Sequence, residues 1–281
     1  MTVAAGCIAS AAVAAHTTVP VQFIDGLPVV TVTLGDLRAD FLVDTGGQIG
    51  ITVPQPLAVA AAEVTLSADF EKREDAAGHV ASVQKLTARS VVVGGAELGP
   101  VEGLVNYQWG LSVGDEAAPS VTKKGVIGFK ALSAKNILFD FPHNALVLFD
   151  RHEGGSPDVA GWEKTPFEYD ARGVIVKIQV DGIDAALSLD TAATNSMIKR
   201  NALLFSKHKS RCAKKEAAEQ FCGILNLEAK ANGASLGRMQ FAVVQMGDIP
   251  FDGLIGSEFF NSHRVFVDFD SKTLYVEKRK R

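Results

Sequence analysis

The chain contains an internal repeat, and this repeat restricts the possible folds more than any other feature of the sequence. When Asp44 is aligned with Asp190, a shift of 146 residues (190 − 44), the segments that precede the two acids match without a gap. Each copy has an alternating apolar and polar run, a short polar turn and a second run that ends at the acid, which predicts two strands joined by a turn. Because internal repeats determine architecture, we expect two similar halves.

A second block shared by the two copies follows each acid. The tripeptide Val126-Ile127-Gly128 matches Leu254-Ile255-Gly256, now with a shift of 128 residues (256 − 128). The shift is smaller because the first copy has a longer segment between its acid and its tripeptide. Two further strand patterns follow in each copy, and they match 137–141 with 265–269 and 144–148 with 272–276. Matching blocks in one order indicate a duplication that covers most of the chain.

The composition favours a mainly β protein with two lobes. Apolar residues make up 47% of the chain, which is ample for cores, and Val-rich alternation with Gly turns is typical of strands. A formal net charge of −4 gives no electrostatic basis for binding nucleic acid. No apolar run approaches the roughly 20 residues that a membrane span needs. The predicted organisation is a leader at 1–15, an N-terminal lobe at 16–153, a linker at 154–161 and a C-terminal lobe at 162–281.

The repeated motif resembles the signature of the pepsin-like, two-lobed aspartic peptidases, and each lobe is also similar to the single-lobe retropepsin-like proteases. That signature is two apolar residues, Asp-Thr-Gly and, later, two apolar residues and Gly, once per lobe. Here the acid blocks read Leu42-Val43-Asp44-Thr45-Gly46 and Ser188-Leu189-Asp190-Thr191-Ala192. The resemblance implies two pseudo-twofold-related lobes with a cleft between them, where Asp44 and Asp190 form the catalytic pair. It further implies active-site support from Thr45, Gly46, Thr191 and Ala192, with the two threonines hydrogen-bonded to each other across the pseudo-twofold axis.

The chemistry explains why such an enzyme needs two acids. Two carboxyl groups about 3 Å apart cannot both ionise cheaply, so they share one proton. The ionised group takes a proton from a water molecule held between them, and the neutral group donates to the scissile carbonyl. The prediction is an aspartic endopeptidase that acts on an extended peptide or protein substrate as a monomer, without metal or organic cofactor. The alternative is a catalytically inactive bilobal module that binds peptides.

Three positions depart from the family pattern. Gly47 and Ala193 stand where the family commonly has Ser or Thr, whose hydroxyl favours the charged carboxylate. We therefore expect a less acidic pair and a pH optimum in the mildly acidic range. Ala192 stands where the second copy should have Gly, and its Cβ obstructs conformations and close approaches that Gly allows. Its peptide N–H is retained, so an intact catalytic pair and an impaired one both stay open.

A substrate-covering hairpin is expected in the first half. The segment 78–83 and the later run 91–95 predict this hairpin, which by position corresponds to the flap of the family. Gly78 and His79 are the candidate substrate-binding residues there, although the segment has no Tyr of the pepsin kind. Tyr107 and Trp109 follow, and core packing is the favoured interpretation over a substrate subsite.

Another catalytic motif carries less weight. Gly110-Leu111-Ser112-Val113-Gly114 matches the G-x-S-x-G pattern of serine hydrolases. That motif needs a strand before it and a helix after it, in alternating β/α surroundings that this chain lacks. Residues 57–64 and the basic segment 197–221 predict helices, and residues 71–75 predict a charged loop.

The N-terminal stretch indicates export. Residues 3–15 are Ala-rich and uncharged and fit the apolar region of a secretory signal, although a basic start is missing. We expect a secreted or periplasmic protein, or a cytoplasmic one if this stretch is not a signal. Cys212 and Cys222 would form a local disulfide in an exported protein and remain free thiols otherwise.

Overall fold

The computed structural model describes residues 16–47, 49–74, 80–107, 124–151, 155–170, 173–202, 221–246 and 249–277. Strands dominate this part of the chain, so the predicted mainly β fold is confirmed. Its helices are short: α1 Gln55–Ala60, α2 Phe129–Leu132, α3 Ser257–Phe260 and a 3-10 helix at Phe141–His143. None of them is long and apolar enough to cross a bilayer.

The first half contributes the following described strands: β1 His16–Pro20, β2 Gln22–Ile24, β3 Leu27–Leu34, β4 Leu37–Asp44, β5 Ile51–Val53, β6 Val64–Glu74, β7 Val80–Ala88, β8 Val92–Val93, β9 Ala96–Glu97, β10 Val101–Val105, β11 Gly125–Gly128, β12 Lys135–Asp140 and β13 Ala145–Asp150. The second half contributes β14 Glu163–Asp170, β15 Gly173–Val180, β16 Ile183–Leu189, β17 Ser196–Lys199, β18 Phe221–Ala231, β19 Ala234–Val244, β20 Gly253–Ile255, β21 Val265–Asp268 and β22 Thr273–Val276.

Two large sheets contain these strands. A ten-stranded sheet belongs to the first half and runs β6-β7-β10-β5-β11-β4-β3-β8-β9, with β2 paired to β3 outside this order. A twelve-stranded sheet runs β1-β13-β12-β21-β22-β14-β15-β16-β20-β17-β19-β18 and takes strands from both halves. The halves meet where β12 pairs antiparallel with β21. Backbone hydrogen bonds therefore continue from one half into the other.

The repeat in the sequence is a repeat of hairpins. Antiparallel β3 and β4 turn at Gly35, and antiparallel β15 and β16 turn at Asp181 and Gly182. All three turn residues have positive φ (64°, 51° and 76°), a conformation that Gly adopts without steric cost. The tripeptide strands lie parallel to the acid strands, β11 beside β4 and β20 beside β16. The predicted strand–turn–strand units are therefore confirmed in both halves.

Aromatic side chains join the two halves in one core. Phe139 packs edge-on against Phe260 with ring centroids 5.2 Å apart, and Phe129 packs against Phe269 at 5.6 Å. The two residues of each pair come from opposite halves, and all four are buried. Edge-to-face contacts of this kind stabilise beyond the buried area alone. Burial at this junction therefore opposes separation of the halves.

A polar network supports the same junction. The buried Asn136 donates from Nδ2 to Asp270 Oδ2 at 2.9 Å and accepts the Phe269 backbone N–H at 2.8 Å. Arg151 Nε donates to the other carboxylate oxygen of Asp270 at 2.8 Å. Because the buried amide has partners on both of its polar atoms, it avoids the cost of an unmade hydrogen bond.

Three predictions about local structure were wrong, namely the hairpin of 78–83 with 91–95, the charged loop at 71–75 and the helix at 197–221, whereas the helix at 57–64 is present with shifted bounds. The expected hairpin of 78–83 with 91–95 does not form, because β7 pairs with the preceding β6, which also includes most of the expected charged loop. The expected helix at 57–64 is α1, which starts earlier at Gln55 with Pro56 in its first turn and ends before Val64 enters β6. The expected helix at 197–221 is contradicted at both ends, where β17 and β18 form. Non-local pairing overrides local propensity in these places.

Several predictions concern residues that the structure does not describe, or segments that it describes only in part. The expected leader (1–15), Gly78 and His79, Trp109 and the G-x-S-x-G segment (110–114) lie outside the described residues. Cys222 is disulfide-bonded, while its expected partner Cys212 also lies outside them. Tyr107 is half-buried. The linker (154–161) is described in part, and the lobe boundaries stay a prediction.

Candidate active site

Each acid stands where a buried central strand ends. Asp44 is the last residue of β4, and the three residues before it are completely buried. Asp190 follows directly after β16, and its backbone N–H donates to the Ile255 carbonyl of β20 at 2.9 Å. An apolar strand that runs into a turn therefore presents an acid at equivalent places in both halves.

The two acid-bearing loops face each other in close contact. A Cβ placed on Gly46 of the first loop would lie 2.4 Å from Asp190 Cγ and 2.6 Å from its Oδ2. No real side chain fits at such distances, so this approach depends on the absence of a side chain at Gly46. Repulsion from Asp190 contributes to the raised pKa of Asp44, so the charge of one carboxyl group affects the ionisation of the other.

Thr45 and Thr191 connect the loops reciprocally. The Thr45 N–H donates to Thr191 Oγ1 at 3.2 Å, and the Thr191 N–H donates to Thr45 Oγ1 at 2.9 Å. Each hydroxyl donates in turn to a carbonyl of the opposite half, Thr45 to Leu189 at 3.0 Å and Thr191 to Val43 at 2.6 Å. Both threonines are fully buried. The network therefore satisfies all four polar groups and fixes one loop against the other.

Backbone amides hold the carboxylate oxygens. Asp44 Oδ1 accepts the Gly47 N–H at 2.7 Å, and Asp190 Oδ1 accepts the N–H groups of Ala192 and Ala193 at 3.0 and 3.1 Å. The residues that replace the family's Ser or Thr thus contribute amide donors without a hydroxyl. A Cβ on Gly47 would lie 2.8 Å from Asp44 Oδ2, so a larger residue there would require a shift.

Burial dominates the acid–base properties of the pair. It raises the pKa of Asp44 to about 7, with repulsion from Asp190 as the second cause, and the amides of Gly47 and Gly46 oppose the rise. Burial also raises the pKa of Asp190 to about 6 against the amides of Ala192 and Ala193. Strongly interacting acids titrate together, so the pair retains a proton at pH values where an ordinary carboxyl group has lost it.

Ala192, which stands where the aligned first copy has Gly46, fits against the first half of the chain. Ala192 packs against a buried cluster of Leu27, Val29, Leu42 and Val126. Its equivalent, Gly46, has no room for a Cβ. The two halves therefore differ at the residue that follows each threonine, while the amide of Ala192 still reaches the carboxylate.

No group of three or more His, Cys, Asp or Glu side chains in the described ranges could hold a metal ion. A cavity of about 630 Å³ is lined by residues such as Pro100, Lys130 and Ala134 and includes neither acid.

Two polar residues near the site were missed by sequence reasoning. Ser196 and Glu258 are hydrogen-bonded to each other, close in the chain to the Asp190 loop and to β20. Shifted by 146 and 128 residues, they correspond to Gly50 and Lys130 of the first half. A comparison of the two copies for residues that differ in chemistry, rather than for residues that match, would have singled them out.

No protein-family model matches the sequence, and no curated protein does. Among solved structures, an aspartic proteinase from Irpex lacteus is similar over 94% of this chain and 97% of its own, with a TM-score of 0.61 and 14% identity. Basic 7S globulin from soybean is similar over 93% and 94%, with a TM-score of 0.60 and 11% identity. The chain therefore has the fold of the pepsin-like aspartic proteinases. Identities this low establish the fold alone.

Proposed function

We propose that this chain is an aspartic endopeptidase that hydrolyses peptide bonds with a water molecule activated between Asp44 and Asp190. The observation that carries the proposal is the reciprocal pairing of Thr45 with Thr191, which holds two acids of raised pKa on facing loops. A binding module has no need for two carboxyl groups whose pKa values are both raised by burial, with one repelled by the other, because both effects cost stability.

The catalytic step follows from one shared proton. The ionised carboxylate removes a proton from the water, whose oxygen attacks the peptide carbon, and the neutral carboxyl donates its proton to the carbonyl oxygen. The resulting tetrahedral diol collapses when the newly protonated acid donates its proton to the leaving nitrogen, the C–N bond breaks and the other carboxylate takes a proton from a diol hydroxyl, which restores the starting pair. The Gly47, Ala192 and Ala193 amides keep the carboxylate oxygens oriented throughout. No covalent intermediate is required.

An extended peptide is the proposed substrate. The β6–β7 hairpin extends beyond the part of β7 that pairs with β10, and it is the counterpart of the expected flap. Its backbone would pair with an extended substrate, while side-chain pockets would select among residues. Gly78 and His79, which lie between these strands in the sequence, remain the proposed substrate contacts. We also propose that the chain acts outside the cytoplasm.

A peptide-binding module without turnover is the second candidate. It is favoured by Ala192, since a methyl group stands where the equivalent Gly46 tolerates none. On this alternative the methyl group would disturb the catalytic geometry while the fold and the cleft remain. The two candidates differ in one observable, the cleavage of peptide bonds.

The test is cleavage of a mixed peptide library by the full chain between about pH 3 and 7. We expect cleavage that resists metal chelators and serine reagents and that a statine-type transition-state mimic blocks. Asp190→Asn is the matched inactive control. Binding of peptides without cleavage by the wild-type chain would support the second candidate, and cleavage that persists in Asp190→Asn would contradict the assignment of that acid.

A further inference from the structure

A further, half-buried carboxyl group, that of Glu258, lies beside the Asp190 loop, and the proposed reaction does not use it. The fully buried Ser196 donates its hydroxyl to Glu258 Oε1. The same hydroxyl oxygen accepts the Gly256 backbone N–H at 2.9 Å. Burial raises the pKa of Glu258, against hydrogen bonds from Ser196 and from nearby backbone amides. Among the described residues, Ser196 thus links the start of β17 to the turn that follows β20.

The same turn holds the Asp190 loop. The Ile255 carbonyl, one residue before Gly256, accepts the Asp190 N–H at 2.9 Å. One residue after it, the Ser257 N–H donates to the Ala193 carbonyl at 2.7 Å. The anchor that Ser196 makes to Gly256 is therefore flanked on both sides by hydrogen bonds to the loop that carries the acid.

The carboxyl group also occupies space that Gly256 leaves open. A Cβ on Gly256 would lie 2.6 Å from Glu258 Oε2, so this oxygen points at the glycine. This oxygen atom is buried, and backbone amides beside it also interact with the carboxyl group. The carboxyl group therefore lies against both Ser196 and Gly256.

The first half makes the equivalent connection without a side chain. There the Gly128 N–H donates to the Gly50 backbone carbonyl at 3.0 Å. Lys130, the counterpart of Glu258, is exposed and pairs with Glu102 at 2.9 Å. The serine–carboxyl pair is therefore a feature of the second half only, and this is also the half in which Ala192 departs from the family pattern.

We propose that Glu258, acting through Ser196, is a positioning residue that holds the Asp190 loop in register with the Asp44 loop. The inference rests on the proposed peptidase function. The carboxyl group fixes the hydroxyl, the hydroxyl fixes Gly256, and the turn fixes the backbone on both sides of Asp190. Glu258 itself touches no reacting atom. Loss of the pair would let the acid drift relative to its partner, which slows the chemical step more than it weakens binding of substrate.

The test compares Glu258→Ala, Ser196→Ala and Glu258→Gln with Lys130→Ala, the matched change at the equivalent position of the first half. For the two pair-breaking alanine variants we expect kcat to fall about tenfold or more, with KM within about twofold of wild type. Glu258→Gln should recover most of kcat, because its amide oxygen still accepts the Ser196 hydroxyl. Lys130→Ala should behave as wild type.

A second readout does not depend on turnover. The side-chain carboxyl resonance of Asp190, followed by carbon NMR through a pH titration, should shift in Glu258→Ala and Ser196→Ala and stay unchanged in Lys130→Ala. A wild-type chain that cleaves no peptide would refute the proposed function, and this resonance would still decide whether the pair positions Asp190. If Glu258→Ala does not fold, Ser196→Ala decides in the same way. An unchanged resonance in a folded pair-breaking variant overturns the inference, as does wild-type kcat.

Discussion

Thr45 and Thr191 each donate their backbone N–H to the side-chain oxygen of the other, at 3.2 and 2.9 Å. Each of them immediately follows an acid, so these bonds determine how the acids of the two halves are placed relative to each other. The two hydroxyls donate to the carbonyls of Leu189 and Val43, which lie on the strands that lead into the acids. The contact between the two acid-bearing loops and the geometry of the acid pair therefore depend on the same four hydrogen bonds.

Replacing either threonine by valine should destabilise the fold and lower activity. Thr45→Val and Thr191→Val each keep the size of the side chain but leave a buried N–H and a buried carbonyl without their partner, which costs about 1–3 kcal/mol per unmade bond. Urea unfolding measures this loss. Thr87→Val, at an exposed position on β7, is the control and should change the free energy of unfolding little. Equal stability of all three variants would contradict the role of the network.

Each acid should be indispensable for cleavage. Asp44→Asn and Asp190→Asn remove the shared proton and the base, so we expect kcat to fall by at least about a thousandfold. The fold should remain, since the amide is close in size to the carboxyl group and burial already favours the neutral form of both acids. Circular dichroism and peptide cleavage together measure this. Asp184→Asn, at an exposed position on β16, is the control that should retain activity.

The site was predictable to the extent that the repeat preserves it. The strands before Asp44 and Asp190 are local units with a strict alternation, so they could be found in the sequence alone. The partner of β7 was not predictable in this way, because the choice between β6 and the run at 91–95 depends on non-local pairing. The pair of Ser196 and Glu258 was not predicted, for another reason. It is a difference between the copies, and a search for matching residues overlooks it.

The two residues that follow the threonines should differ in how well they tolerate a change of one methyl group. Gly46→Ala places a methyl group 2.4 Å from Asp190 Cγ, so the loops must move apart and kcat should fall by about a hundredfold or more. Ala192→Gly removes a methyl group that packs on an apolar cluster, so it should cost at most about 1 kcal/mol and preserve cleavage. Steady-state kinetics and thermal unfolding of both variants provide the measurement. A large gain in kcat on Ala192→Gly would show that the native methyl group impairs the site.

The raised pKa values of the acid pair predict how stability depends on pH. Burial raises both from the ordinary value of 3.8, to about 7 for Asp44 and about 6 for Asp190, so the folded chain binds more protons than the unfolded chain between these limits. The stabilising contribution of the pair is fully present below about pH 4 and is lost as the pH rises through about 6 to 7. Urea unfolding at a series of pH values should show this decline, and Asp44→Asn combined with Asp190→Asn should remove it.

The rate of cleavage should depend on pH through the proton that the two acids share. Cleavage requires one protonated and one ionised acid, and this form is most populated between the two macroscopic pKa values of the pair. Because both values are raised by burial, and because Gly47 and Ala193 offer amides without hydroxyls, the rate should peak between about pH 5 and 7. The measurement is kcat/KM for one peptide from acid to neutral pH, with thermal unfolding at each pH as the control for loss of folded protein. A maximum near pH 2 would require carboxyl groups far more acidic than the raised pKa values of Asp44 and Asp190 allow, and would contradict the assignment of the shared proton to this pair.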